Sequence, residues 1–115
     1  MAARFLRKKG YKVLYRDFKP RRGGQIDIVC RDDDTLVFVE VKSRRDEELQ
    51  RPVDGIHADQ KRSISRGALT WLRMLDNPDI PFRFDVVEVI APEGGAKPRL
   101  ELIQNAFQLA KPYMY

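Results

Sequence analysis

Residues 23–44 read GGQIDIVCRDDDTLVFVEVKSR. Two apolar runs flank three aspartates, a pattern that predicts a β-hairpin. Each run carries charge where a half-buried strand should be apolar: Asp27 in the first, Glu40 and Lys42 in the second. Side chains alternate faces along a strand, so Val37, Val39 and Val41 share one face, and Leu36, Phe38, Glu40 and Lys42 the other. In the first run Ile26, Ile28 and Cys30 share a face opposite Gln25, Asp27 and Val29. Closing the hairpin with Asp33 and Asp34 as a two-residue loop places Ile26, Ile28 and Cys30 against Val41, Val39 and Val37. That side is wholly apolar. On the other side Asp27 faces Glu40 and Gln25 faces Lys42. Like charges directly opposed are destabilising, yet a one-residue slip would spoil the apolar side. The favoured register therefore forces two acids together. A divalent cation with oxygen ligands would compensate for that. A salt bridge among Asp27, Glu40 and Lys42 at a frayed strand end is the competing structural account.

The rest of the chain extends this hairpin into one α/β domain over 1–115. Residues 2–9 read as the end of a helix with Gly10 as its C-cap; the missing cap at the start reads as a first helix that has lost its beginning. YKVLYRDF (11–18) reads as a strand, KPRRGG (19–24) as a basic loop, and residues 44–57 as a polar loop. From Ala58 to Leu75 the period changes: Ile64, Ala68, Trp71, Leu72 and Leu75 form one stripe of an amphipathic helix, and NPDIP (77–81) ends it. FRFDVVEVI (82–90) is a further strand, RLELI adds a short one, and QNAFQ a last helical turn. The long helix is a crossover joining a parallel pair of strands around 36–42 and 83–90. The expected architecture is α/β: an αβββαβ core with a mixed four- to five-stranded sheet flanked by helices.

With 115 residues, 43% of them apolar, the chain can bury a core; its single cysteine rules out a disulfide scaffold within it. A reducing compartment, the cytoplasm, is the natural setting, and no apolar run is long enough to cross a membrane. The formal charge is +5, and residues 1–26 hold nine Lys or Arg against the single acid Asp17, a net +8 that leaves −3 for the remainder. Such asymmetry points to a polyanion partner or to a solvated, solubilising face.

Asp27 followed by Glu40-Val41-Lys42 on the next strand resembles the PD-(D/E)xK nuclease signature, which occurs in restriction endonucleases and Holliday junction resolvases. More closely, KKGYKVLYRDFKPRRGGQIDIVCRDDDTLVFVEVKSR, RFDVVEVI (83–90) and NAF (105–107) resemble the YraN family of bacterial proteins over nearly the whole chain. That resemblance implies a restriction-endonuclease-like fold and metal-dependent phosphodiester hydrolysis. It maps Asp27 and Glu40 onto ligands of Mg²⁺ or Mn²⁺ and Lys42 onto the catalytic lysine. Two features depart from the pattern: Gln25 stands where the family usually has glutamate, and related resolvases use a glutamate in the first helix, which this chain starts too late to show. The implied function is an endonuclease on structured, branched DNA. The alternative is a nucleic-acid-binding module that kept the fold and lost efficient chemistry. Gln25 and Lys61 are accessory candidates: Lys61 continues the apolar stripe of the long helix, where it either reaches a phosphate or snorkels. Arg21, Arg22, Arg44 and Arg45 bracket the site and suit backbone phosphates. A homodimer is left open. Cys30 reads as a buried thiol and His57 as a cap.

Overall fold

A computed structural model describes residues 1–45, 56–95 and 97–111. Most of the expected polar loop, 46–55, lies outside the described residues. Five strands form one mixed sheet in sequential order: β1 (Lys12–Phe18), β2 (Ile26–Asp32), β3 (Thr35–Arg45), β4 (Phe82–Ala91) and β5 (Arg99–Phe107). Helix α1 (Ala2–Lys8) precedes β1, and α2 (Ala58–Met74) joins β3 to β4. The β3–β4 pair is parallel and the other three pairs are antiparallel, so α2 is the expected crossover. The order α-β-β-β-α-β, closed by one further strand, is consistent with the restriction-endonuclease-like core.

The hairpin takes the register that its pattern demands. Ile28 faces Val39, Cys30 faces Val37 and Asp32 faces Thr35, which leaves Asp33 and Asp34 as the loop. Asp33 adopts φ 55°, a left-handed conformation that a short polar side chain tolerates. The sheet is covered on both faces. Phe18, Ile26, Val29, Phe38, Ile64, Ala68, Leu72 and Phe84 pack under α2. Ala3, Leu6, Tyr11, Ile28, Cys30, Val37, Val39 and Val87 pack under α1. The central strands read as near-continuous hydrophobic runs for this reason.

Helix α1 ends as its sequence predicts. Gly10 takes φ 93°, the Gly10 amide donates to the Arg7 carbonyl and the Tyr11 amide to the Leu6 carbonyl, each at 3.0 Å, which is a Schellman cap. At the start of α2 the His57 amide donates to Gln60 Oε1 at 3.2 Å, a capping interaction in keeping with the non-catalytic role expected of His57.

Four expectations need correction. Residues 104–107 are strand, not a helical turn: β5 runs to Phe107. Asn105 takes φ 51° and its amide donates to Asp85 Oδ1 at 2.8 Å, so a bulge in the β4–β5 ladder replaces the turn. Leu75 does not join the helix stripe: α2 closes at Met74, the chain turns through positive φ at Asp76 and Asn77, and Leu75 is exposed. Ile26 does not join the apolar side with Ile28 and Cys30; it packs under α2 beside Phe18, with Cγ1 against Gly67. The third strand also runs on to Arg45, taking in Arg44 and Arg45 from the start of the expected polar loop.

Asp85 anchors a second polar feature at the hairpin-turn end of the sheet. It is fully buried, accepts from Tyr11 Oη at 2.7 Å and pairs with Arg83 Nε at 3.0 Å. Arg83 also reaches Asp32 at 2.8 Å, and Gln104 donates to Tyr11 Oη at 2.8 Å. Burial raises the tyrosine above its usual range. Three strands, β2, β4 and β5, and the α1–β1 junction are locked together here, which accounts for RFD and NAF as structural sequences.

Candidate metal and nucleic-acid site

The candidate site forms where β2 and β3 part. Their last registered pair is Ile28 with Val39, after which β3 continues for six residues. Asp27 follows that pair on β2 and Glu40 follows it on β3. Asp27 Oδ2 accepts a hydrogen bond from the Val41 amide at 2.8 Å, so its carboxylate is inserted against the backbone of the neighbouring strand. It is also hydrogen-bonded to the Glu40 side chain. The collision expected from the hairpin register is therefore present. Burial first, then the charge of Asp27, pushes the Glu40 carboxyl up to about 8, and Lys42 offsets part of the rise. A carboxyl raised this far favours its protonated form at neutral pH when no cation is bound. Lys42 follows two residues later on the same face of β3 and is partly buried.

Asp27 opens into a cleft of about 320 Å³ whose walls include Arg16, Asp17, Ile28, Val41 and the start of α1. Asp17 falls between the β1–β2 pairs Arg16–Ile28 and Phe18–Ile26, beside Asp27, with φ 55°. It is an acid that sequence reasoning missed, because its placement depends on the β1–β2 register across a basic loop. Among the described residues no three His, Cys, Asp or Glu side chains converge into a cage. The donor set at the centre is two carboxylates, which fits an ion such as Mg²⁺ that keeps several waters and needs one or two carboxylates.

The loop before β2 is fixed by α2. Gly24 takes φ 89°, and a Cβ there would stand 2.5 Å from the Gly67 nitrogen, so both glycines are needed for helix and loop backbones to meet. The Gln25 amide donates to the Ser63 carbonyl at 3.2 Å. Gln25 itself is exposed at the mouth of β2. Arg66 packs its guanidinium over Gly23, adding a cation beside exposed Arg21 and Arg22. Nothing local in the sequence announces it.

The other candidates are placed as follows. Lys61 sits on the first turns of α2 with Nζ 6.0 Å from the centre of the Phe107 ring, over β5, at the outer limit of a cation–π contact. Arg44 forms an ion pair with the fully buried Glu88, whose register partner is Lys42. Arg45 is exposed at the end of β3. Glu88 was not singled out in the sequence because β4 is buried on both faces and its own strand does not reveal which neighbour meets it. Cys30 is fully buried, and burial raises its thiol to about 12, in line with an inert residue. No described helix is long and apolar enough to cross a membrane.

Residues 1–89 match the model of a family described as "Uncharacterised protein family UPF0102". Curated relatives carry the same designation. The UPF0102 protein of Geobacter metallireducens is 43% identical over 110 residues, covering 96% of this chain and 88% of the relative. That of Geobacter sulfurreducens is 42% identical over 112 residues, covering 96% and 84%, and that of Syntrophus aciditrophicus 43% over 111 residues, covering 96% and 84%. The chain belongs to the UPF0102 family, in agreement with the YraN resemblance of its sequence.

Proposed function

We propose that this member of the UPF0102 family is a metal-dependent nuclease of the PD-(D/E)xK type that hydrolyses phosphodiesters in DNA. One observation carries the reading: Asp27 and Glu40 meet where β2 parts from β3, with Glu40 raised to about 8 by burial and by Asp27. A carboxyl raised so far beside a second acid is the expected mark of a functional site, and a fold seldom retains such a repulsion at no benefit.

Hydrolysis needs a water to attack phosphorus, the P–O bond to break, and a proton to reach the leaving oxygen. A Mg²⁺ or Mn²⁺ ion held by Asp27 and Glu40 would supply Lewis acidity and neutralise phosphate charge. The residues do the rest. Asp27 is fixed by the Val41 amide, which keeps one carboxylate in place at a strand end. Lys42 presents its ammonium on the Glu40 face, where it orients the attacking water or stabilises developing negative charge. Arg21, Arg22 and Arg45 are exposed and suit backbone phosphates.

The second reading, a binding module with weak or no chemistry, is favoured by a specific feature. Gln25 is neutral at the mouth of β2, and no third carboxylate completes a cage among the described residues. Cleavage assays separate the two. Branched, flapped and single-stranded DNA are incubated with Mg²⁺ or Mn²⁺, comparing wild type with Lys42→Ala. The nuclease reading expects metal-dependent product that Lys42→Ala abolishes while the ion still binds. Binding without product from any of these substrates favours the module instead.

A further inference from the structure

We infer that a single-stranded nucleic acid leaves the carboxylate pair along a basic groove beside α1, with Arg4, Arg7, Lys8 and Arg16 taking its phosphates and Phe5 offering a stacking surface. The inference rests on the nuclease reading of the pair, and extends it to a substrate form and a path.

The groove encloses about 580 Å³, and Arg4, Phe5, Arg7, Lys8, Arg16 and Leu100 contribute to its walls. It adjoins the Asp27 cleft, sharing Arg16 and Ala3 with it. Arg16 faces Ile28 on β2 and Leu100 faces Val89 on β4, so the groove lies at the same end of the sheet as the acids. The four cations are exposed. Arg4, Arg7 and Lys8 follow one another at helical spacing on the outer face of α1, while Ala3 and Leu6 are buried against the sheet. No acid among the described residues forms an ion pair with any of the four. Arg7 and Lys8 occupy the last turn of α1, where the helix dipole favours cations. That account does not extend to Arg4 in the first turns or to Arg16 on β1. Four uncompensated positive charges around one groove attract a polyanion.

Phe5 decides between single strand and duplex. It is partly exposed and lines the groove, and Lys9 Nζ lies 5.4 Å from its ring centroid. Ring and cation side by side, along a charged groove, are what an unpaired base and its phosphate require. A duplex keeps its bases stacked inside and has no use for the ring.

The test is fluorescence anisotropy with a labelled single-stranded oligonucleotide in EDTA, so that neither metal nor cleavage enters. The log–log salt slope should become shallower by about 0.7 for each phosphate no longer neutralised, hence by about 1.4 in Arg4→Gln/Arg7→Gln, and by a further step with Arg16→Gln. Phe5→Leu should weaken single-strand binding roughly five- to a hundredfold with the slope unchanged, and a duplex of the same sequence should compete poorly. An unchanged slope in the arginine variants overturns the path. A neutral Phe5→Leu in a protein that melts normally, or a duplex that competes as well as the single strand, overturns the single-strand assignment. The arginines are exposed, so their variants remain informative even if Phe5→Leu folds badly. Flattened slopes in a protein that cleaves nothing leave the groove standing without the nuclease; cleavage with unchanged slopes does the reverse.

Discussion

Asp27→Asn tests the acid pair without any ion. Asparagine keeps an oxygen for the Val41 amide, which now donates to Asp27 Oδ2 at 2.8 Å, while removing the charge beside Glu40. A carboxyl raised from 4.5 to about 8 binds a proton in the folded chain that the unfolded chain releases. Between those values the folded state holds more protons, so stability falls as pH rises, and the penalty is complete above about 8. At about 1.4 kcal/mol per pH unit the unscreened penalty would be about 5 kcal/mol; water reaches the partly exposed carboxyl, and about half that is realistic. Burial is the largest cause of the rise and survives the substitution. Removing Asp27 therefore recovers about 1 kcal/mol near pH 8, or roughly 4–8 °C in Tm for a domain of this size. Near pH 5 the Glu40 carboxyl is protonated in the folded state, so the gain should shrink toward zero. Urea melts followed by circular dichroism in EDTA at both pH values read this directly. Loss of stability in Asp27→Asn near pH 8 would refute the reasoning, since it is what a structural salt bridge with Lys42 requires.

Other predictions concern the frame around the site. Asp85→Asn leaves the Arg83 guanidinium with a weakened partner in a buried network, so urea unfolding should show a loss of about 3 kcal/mol with no change in metal affinity. Gly24→Ala introduces a Cβ 2.5 Å from the Gly67 nitrogen at φ 89°; it should cost about 2 kcal/mol or more in a thermal melt and shift the Gln25 mouth of the site. Reversing charge at Arg21 and Arg22 should lower duplex DNA affinity and flatten its log–log salt slope by about 0.9 for each phosphate that is no longer neutralised, as read in a salt titration.

The hairpin was legible because one face of it admits a single register. Ile28 opposite Val39 and Cys30 opposite Val37 follow from alternation and loop length alone, and the acid collision follows from them. Helix α2 was legible from its period, and its role as crossover follows from the order of elements. What the sequence concealed depends on neighbours distant along the chain. Ile26 crosses to the α2 layer because Gly24 and Gly67 let two backbones meet. The Asn105 bulge depends on Asp85, twenty residues earlier. Glu88 under Arg44, Arg66 over Gly23 and Asp17 beside Asp27 require knowing which element lies alongside which. The placement of candidate residues on one hairpin was readable, whereas that of neighbours contributed by other elements was not.

Whether Asp27 and Glu40 form a cation site is decided by calorimetric titration with Mn²⁺ near pH 7, in two buffers of different ionisation enthalpy. A Glu40 carboxyl pushed up to about 8 must release its proton when a cation binds. The expected result is one ion per chain, about one proton released for each ion, and loss of both signals in Asp27→Asn. Binding that Asp27→Asn leaves unchanged, or no binding at all, would contradict the metal site.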